Sequence, residues 1–444
     1  MSDSWRHETA QNLQRQGILL VEDGNHGEYR PRPSEFTGDG TAFIRAADMA
    51  NGRLLFVSAS RISDTARARI TKGVGAPGDV ILSHKGTVGK VALVGDNAPA
   101  FVCSPQTTFW RTLNQNAIDR RFLFAYMRSR AFQSQLEARC NESDMAPYVS
   151  LTTQRQLTVA FPPLPQQRAI AAVLGALDDK IELNHRMNAT LEAMARALFK
   201  SWFIDFDPVR EKASGRGPDL PTEIASLFPD SCEETESGEV PTGWNHVSLI
   251  DVAEVNPATS LAGIAEAPYL DMANVPTQGY AVNRVIMRPV SSGSRFRRGD
   301  TLLARITPCL ENGKTAFVDF LADDVVGWGS TEFVVIRPRD PMPKEYAYLL
   351  ARSDAFRAYA IGKMTGTSGR QRVPVDSIAA YPVVRPSATI CAIFASIVQP
   401  IFLRMSAASA ESRTLASIRD ALLPKLISGK IRVTDGEGAL EKPA

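Results

Sequence analysis

The sequence predicts an α+β chain in which two mixed α/β domains are separated by two long helices that pair as an antiparallel coiled coil. Three observations predict it. The first is an internal duplication. Gly78-Asp79-Val80-Ile81-Leu82-Ser83 followed by Gly89-Lys90-Val91-Ala92-Leu93-Val94 returns as Gly299-Asp300-Thr301-Leu302-Leu303-Ala304 followed by Gly313-Lys314-Thr315-Ala316-Phe317-Val318. Arg128-Ser129-Arg130-Ala131-Phe132 returns as Arg352-Ser353-Asp354-Ala355-Phe356, and Phe161-Pro162-Pro163-Leu164 as Tyr381-Pro382-Val383-Val384. An ordered series at a nearly constant offset means that a unit of domain size was copied. The second is a heptad seam, and the third is a second apolar stripe in the other half of the chain that can cover it.

The elements follow in order. Residues 1–160 read as one mixed α/β domain, with β-rich runs at Val80-Ile81-Leu82, Val88 to Val94 and Thr108-Phe109-Trp110, and a helical stretch from Phe122 to Cys140. Pro162-Pro163-Leu164-Pro165 ends it and announces a helix. From 161 to 207, Ile170, Leu174, Leu177, Ile181, Asn184, Asn188, Leu191, Ala195, Leu198 and Trp202 alternate at spacings of three and four. A helix of that extent is roughly 55 Å long and needs a partner for its stripe. Asn184 and Asn188 are expected to set its register. The segment 208–241, rich in Pro, Gly and acids, reads as a solvated linker. Residues 242–383 repeat the mixed pattern, with strands at Leu302 to Ile306, Thr315 to Val318 and Phe333 to Ile336. The partner stripe lies in 384–433, through Ile390, Ile393, Ile397, Leu415, Ile418 and Leu422, with a kink or reset expected at Pro400. Residues 434–444 form an acidic tail.

Composition narrows the function classes. The 444 residues are 44% hydrophobic, enough for two or three cores. No run of about 18 apolar residues and no secretory leader is read, so a cytoplasmic protein is expected. The five cysteines are scattered without a C-x-x-C pair, and no metal site is expected. Net charge is only +2, but 38 of the 50 basic residues are Arg, the side chain suited to bidentate contact with guanine edges and phosphates. A G+C-rich coding sequence accounts for the same bias.

Catalytic constellations fail one by one. Gly313-Lys314-Thr315 ends like a phosphate loop, but Pro308 stands where that loop needs a glycine and supplies no N–H. No N-P-P-Y or D-P-P-Y tetrapeptide is present. Asp178-Asp179-Lys180 lies on the predicted long helix, where a solvated face explains it. His7, His26, His84, His185 and His246 show no ligand spacing. No catalytic residue and no cofactor of its own is expected.

Recognition remains. In the first half Lys85, Thr87 and Lys90 sit in a basic, Gly-containing turn able to approach a phosphate, or in an ordinary hairpin turn. In the second, Arg295, Arg297 and Arg298 precede a strand and Lys314 follows an Asn-Gly turn. Thr367, Ser368, Arg370, Gln371 and Arg372 lie on a Gly-flexed loop whose donors and acceptors suit base edges and phosphates.

Several of these stretches resemble one family. They are G-D-V-I-L-S…K-G-T-V-G-K-V-A at Gly78 to Ala92, F-P-P-L-P-Q-Q-R-A-I at Phe161 to Ile170, R-G-D-T-L-L-A-R-I-T-P-C-L-E-N-G-K at Arg298 to Lys314, G-S-T-E-F-V-V-I-R at Gly329 to Arg337 and T-G-T-S-G-R-Q-R-V at Thr365 to Val373. The helix ends Lys200 to Phe203 and Pro424 to Gly429 fit as well. Together they resemble the DNA specificity subunit of a Type I restriction-modification enzyme. The resemblance implies two target recognition domains reading a split site on double-stranded DNA, with helices that set the spacer. It implies two methyltransferase subunits docked on those helices and two restriction-translocase subunits. S-adenosylmethionine, ATP and Mg belong to those partners. The competing reading is a non-catalytic two-domain scaffold that organises enzymes without reading DNA.

Overall fold

The structure is a computed structural model that describes residues 5–140, 147–215, 217, 219–235, 238–282, 284–367, 369–433 and 440–441. It divides into two compact units. Unit 1 is Met1–Lys180 with Thr414–Ala444, and unit 2 is Ile181–Arg413. The dividing points fall inside the two long helices, because each helix packs part of its length into each unit's core.

Unit 1 carries β1 (Arg6–Thr9), β2 (Leu19–Asp23), β3 (Phe36–Thr37), β4 (Thr41–Ile44), β5 (Ser60–Ile62), β6 (Val80–Lys85), β7 (Thr87–Leu93), β8 (Phe101–Cys103), β9 (Thr107–Thr112) and β10 (Thr158–Phe161). Unit 2 carries β11 (Asn245–Ser248), β12 (Ala253–Val255), β13 (Glu266–Leu270), β14 (Ile286–Pro289), β15 (Ser294–Arg297), β16 (Thr301–Ala304), β17 (Thr315–Phe317), β18 (Val326–Gly329), β19 (Phe333–Pro338) and β20 (Pro382–Arg385).

The strand orders show the duplication. An antiparallel sheet runs β2-β9-β6-β7 in unit 1 and β12-β19-β16-β17 in unit 2. A second sheet in each pairs one strand with a parallel neighbour on one side and an antiparallel one on the other: β4 with β8 and β5, β13 with β18 and β14. In unit 2, β15 extends this sheet. In unit 1 the equivalent edge is a single bridge, Val74 to Val102. The terminal strands close each unit as β1·β10 and β11·β20.

The repeated Gly-Asp has a structural cause. Gly78 and Gly299 turn the chain at φ +86° and +90°, a region that favours glycine. The following aspartates are buried, and each closes its turn by accepting from the main chain: Asp79 Oδ2 from Ala76 N and Asp300 Oδ2 from Arg297 N, both at 2.8 Å. Each also grips an arginine three strands later in sequence but adjacent in the sheet. Arg111 Nε and Nη2 meet Asp79 at 2.7 and 2.8 Å, and Arg337 meets Asp300 at the same distances. These bidentate pairs raise both guanidinium pKa values and tie β9 to β6 and β19 to β16.

After the sheets come α1 (Arg120–Arg128) and α2 (Arg130–Cys140), split at Ser129 where the sequence predicts one helix, then α3 (Leu164–Lys200). Unit 2 has α4 (Lys344–Ala351), α5 (Asp354–Gly362) and α6 (Ala388–Ile427). Gln167 anchors the start of α3. Its Oε1 accepts from Asp119 N at 2.9 Å, and its Nε2 donates to Ala117 O and Pro162 O.

Within unit 1, Ile170, Ala171 and Leu174 of α3 share a core with Leu426 and Ile427 of α6, and Arg419 Nη1 meets Asp178 at 2.7 Å. Within unit 2 the same two helices run antiparallel through a polar layer. Asn184 Nδ2 donates to Ala408 O and Ser412 Oγ, and Asn188 Nδ2 to Met405 O and Ser409 Oγ. Only small residues leave room for amides to reach the opposite main chain, which pins the register.

Two sequence expectations change here. Ile418 is 44% exposed, while Ser412, Leu415, Arg419, Leu422 and Leu426 keep the three-four spacing, so the seam passes through Arg419 beside it. α6 runs unbroken through Pro400, whose ring is on the exposed face where solvent can take the carbonyl released at Ser396. An 18-residue window of α6 reaches a mean hydropathy of 1.7, and its Ile390, Phe394, Val398 and Phe402 are buried in the unit 2 core.

The segment expected as a linker is also built. α3 ends in a π turn (Ser201–Asp205) stopped by Phe206 at φ +56°. A helix (Asp207–Ala213) and a hairpin (Cys232–Thr235 with Gly238–Pro241) follow. Trp202, Phe206, Val209, Phe228 and Val240 are buried there, with the Trp202 and Phe228 rings 4.9 Å apart. A few apolar residues dock the segment while its acids face water. The tail expected from 434 lies outside the described residues apart from 440–441.

Candidate nucleic-acid interface

The two candidate loops lie on corresponding rims but at different positions in them: the Lys85–Thr87 turn ends the central sheet of unit 1, and the Thr365–Arg372 loop stands in unit 2 where the chain reaching Tyr148 stands in unit 1. In unit 1, β6 and β7 turn at Gly86, and the chain before the α3 strand-and-helix connection lies alongside. Lys85 bridges to Tyr148, Gly86 N donates to Pro147 O, and Val149 N to His84 O. In unit 2 the chain leaving β16 is paired the same way. Ile306 bridges to Arg372, Thr307 N donates to Gln371 O, and Val373 N to Arg305 O. Tyr148 and Val149 stand 224 positions before Arg372 and Val373. Each unit thus presents a rim made of a turn at the end of its central sheet and a second loop beside it.

On the unit 1 rim Lys85 and Thr87 are exposed, with Lys85 Nζ 5.8 Å from the Tyr148 ring centre. His84 is buried beneath. Its Nδ1 lies 3.0 Å from Val149 O, which ties the turn to the neighbouring chain, and its Nε2 lies 3.2 Å from Asp23 Oδ1 without a hydrogen bond.

On the unit 2 rim, Thr367 and Arg370 are exposed and Gln371 is half-buried. Arg370 N donates to Thr367 O, closing the loop tip. Arg372 has a different role. Its Nε and Nη2 clasp Glu332 at 2.7–3.0 Å, which raises its pKa, and Arg305 lies 4.0 Å from the same carboxylate. Arg305 and Glu332 are absent from the sequence-based candidates, and nothing local marks them, because they meet Arg372 only through strand pairing. Ser368 lies outside the described residues.

The other candidates do not join this rim. Lys90 Nζ donates to Ala46 O and Met49 O at 2.8 and 3.0 Å, and Lys314 Nζ to Met272 O at 2.6 Å. Both lysines of the repeated Gly-Lys tie the central sheet to a 3₁₀ turn (Ala46–Asp48 or Met272–Asn274), which uses their donors internally. Arg298 donates to Asp319 O and Leu321 O and pairs with Asp323. It precedes β16, while Arg305 follows it, so the two are at opposite ends of a strand on the order of 13 Å long. Arg295 and Arg297 are exposed on one face of β15, with Phe296 turned inward. Arg295 reaches Thr259 O at 3.2 Å.

Comparison with known proteins places this geometry. Residues 26–193 match the family model described as Type I restriction modification DNA specificity domain. The Type I restriction enzyme HindI specificity subunit of Haemophilus influenzae is 26% identical over 442 residues, covering 88% of this chain and 94% of that one. The MjaIX specificity subunit of Methanocaldococcus jannaschii is 21% identical, covering 90% and 89%. Along most of its length the chain is similar to specificity subunits of Type I restriction enzymes. A crystal structure of the Type I restriction-modification system S subunit from M. genitalium shares the fold, with a TM-score of 0.51, 14% identity and 96% coverage of both chains.

The family model covers residues 26–193, which include most of the first copy. The second copy keeps the same strand order. At equivalent positions of the two rims the side chains differ: Lys85 and Tyr148 in unit 1 stand where Ile306 and Arg372 stand in unit 2. If Arg370 touches a base edge, Arg370→Ala is expected to weaken DNA binding by about 1–3 kcal/mol and relax one position of the target. If it touches phosphate, all sequences weaken alike. A gel-shift series on matched and mismatched duplexes distinguishes these outcomes, and unchanged affinity on every duplex removes Arg370 from the interface.

Proposed function

We propose that this chain is the non-catalytic DNA reader of a Type I restriction-modification complex, with each unit reading one half of a split, asymmetric target. The observation that carries the proposal is the repeated scaffold with unlike rims. One fold used twice supplies two reading heads of the same geometry, and different side chains on each give different half-sites. The paired helices set the number of unread base pairs between the halves and offer long surfaces for methyltransferase subunits. Two methyltransferase and two restriction-translocase subunits complete the assembly. S-adenosylmethionine, ATP and Mg are handled by those partners.

Two measurements test the reading. Binding of the purified chain or its methyltransferase complex to duplex DNA is expected to fall linearly in log K against log salt, since phosphate contacts release counterions. Single-molecule sequencing of a host carrying the whole operon is expected to show a bipartite methylated motif lost on deleting this gene. A salt-independent interaction together with an unchanged methylome would leave a scaffold that organises enzymes without reading sequence.

A further inference from the structure

The duplication exposes a contrast at one place in the fold. Each unit has a cleft between the helix that follows its central sheet and its own long helix, about 270 Å³ in unit 1 and about 410 Å³ in unit 2. The linings correspond at a single offset. Arg121, Ala171, Gly175 and Asp179 of unit 1 stand 224 positions before Glu345, Ala395, Gln399 and Leu403 of unit 2, and Leu93 and Asp178 before Phe317 and Phe402.

The unit 1 cleft satisfies itself electrically. Arg121 Nη1 lies 3.1 Å from Asp179, with Arg53 at 3.4 Å on the same carboxylate. Arg128 and Arg419 both meet Asp178 at 2.7 Å. Guanidinium groups of the chain itself neutralise both carboxylates.

In unit 2 the sign at the key position is reversed and the counter-charge is missing. Glu345 replaces Arg121, and Leu403 and Phe402 replace the two aspartates. Glu345 is 7% exposed and its Oε2 is buried without a hydrogen-bond partner. Burial pushes its carboxyl up from the usual range. Lys344, adjacent in sequence, forms no ion pair with it among the described residues, and Arg298 is held by main-chain carbonyls and Asp323. Arg352, the counterpart of Arg128, reaches Glu192 instead, at 3.3 Å. The remaining walls suit a cation. Tyr280, Phe317 and Phe402 pack edge-on or tilted with ring centres 5.2–6.4 Å apart, and Tyr280 O–H donates to Asp319 at 2.6 Å. A carboxylate framed by aromatic rings is the chemistry that captures organic cations.

We propose that the unit 2 cleft is a binding site for a guanidinium or primary ammonium group, seated against Glu345 and the rings of Tyr280, Phe317 and Phe402. The incoming cation pairs with Glu345 as Asp179 pairs with Arg121 in unit 1, with the signs exchanged. The group belongs either to an Arg or Lys side chain of a partner protein or to a free polyamine. The inference does not rest on DNA reading and is tested without DNA.

Agmatine, which carries both groups, serves as the probe, with binding to the full chain read by ligand-observed NMR. Binding is expected at millimolar concentration. Glu345→Gln is expected to weaken it about tenfold or more, since a buried charge loses its counterpart. Leu403→Arg, at a position 64% exposed, places a guanidinium at the cleft mouth, mirrors the Arg121–Asp179 pair with signs exchanged, and is expected to exclude agmatine without unfolding the chain. Absence of agmatine binding by the parent chain, or equal binding by Glu345→Gln and Leu403→Arg chains with intact melting transitions, overturns the proposal. Repeating the titration on the complex with methyltransferase subunits separates the sources. A side chain from a partner blocks the probe, and a site for a free amine stays open.

Discussion

Asp300→Ala is expected to destabilise unit 2 by about 3–5 kcal/mol, because it leaves a mostly buried guanidinium with only its longer contacts to Glu254, at 3.9 Å, and Thr259, at 3.4 Å. Arg337, only 13% exposed in its side chain, loses both hydrogen bonds to Asp300, and the Arg297 amide loses the acceptor that closes the turn at Gly299. Asp79→Ala removes the same arrangement from unit 1 with a smaller expected effect. Arg111 is 30% exposed and rests 4.6 Å from the Phe109 ring centre, so water and the ring recover part of the loss. Calorimetric unfolding of the parent and both variants checks the order. The double variant Asp300→Ala with Arg337→Leu is expected to regain much of the stability, since removing both charges removes the stranded one. A loss below about 1 kcal/mol for Asp300→Ala would mean that Arg337 finds solvent despite its burial.

Replacing residues 5–163 with the matching segment of a specificity subunit that reads a different half-site is expected to change one half of the methylated motif and leave the other intact. Affinity for the original half-site is expected to fall to the non-specific level, a change on the order of a thousandfold or more. The junction at Pro163 leaves α3 whole. Gln167 must still find Asp119 N and Ala117 O, and Ile170, Ala171 and Leu174 must still meet the incoming core, so the donor segment needs those contacts in place. Methylome sequencing reads the result. A change in both halves would show that reading is shared between the units, and no change in either would place recognition outside this segment.

Insertion experiments have to respect the packing around the end of α3. A sequence-based view places a helix end near Phe203 and a tolerant linker after Pro208. The structure buries Trp202, Phe203, Phe206 and Val209 in the unit 2 core, with the Phe203 and Phe394 rings 4.8 Å apart. Extra residues there disturb a core before they lengthen a helix.

Local signals made much of this protein legible from sequence alone. The repeat was visible because the turns that start each central strand need a glycine at positive φ and an aspartate to close them, and both requirements lie within two adjacent residues. The long helices were visible because a three-four apolar spacing persists over many turns, and the asparagines stood out as polar residues inside it. Tertiary structure decided what depends on partners distant in sequence. Lys90 and Lys314 looked free for phosphate, yet each is used on a 3₁₀ turn more than 40 positions earlier in the chain. Arg372 looked like Arg370, yet Glu332, 40 positions away, takes it. Arg419 entered the seam in place of Ile418 because Asp178 waits opposite it. The unit 2 cleft had no sequence signal, since Glu345 reads as one more charge on a helix until burial leaves its Oε2 without a partner. Periodicity and turn chemistry are properties of neighbouring residues and survive in a one-dimensional reading. Charge pairing and desolvation are set by which segments the fold brings together.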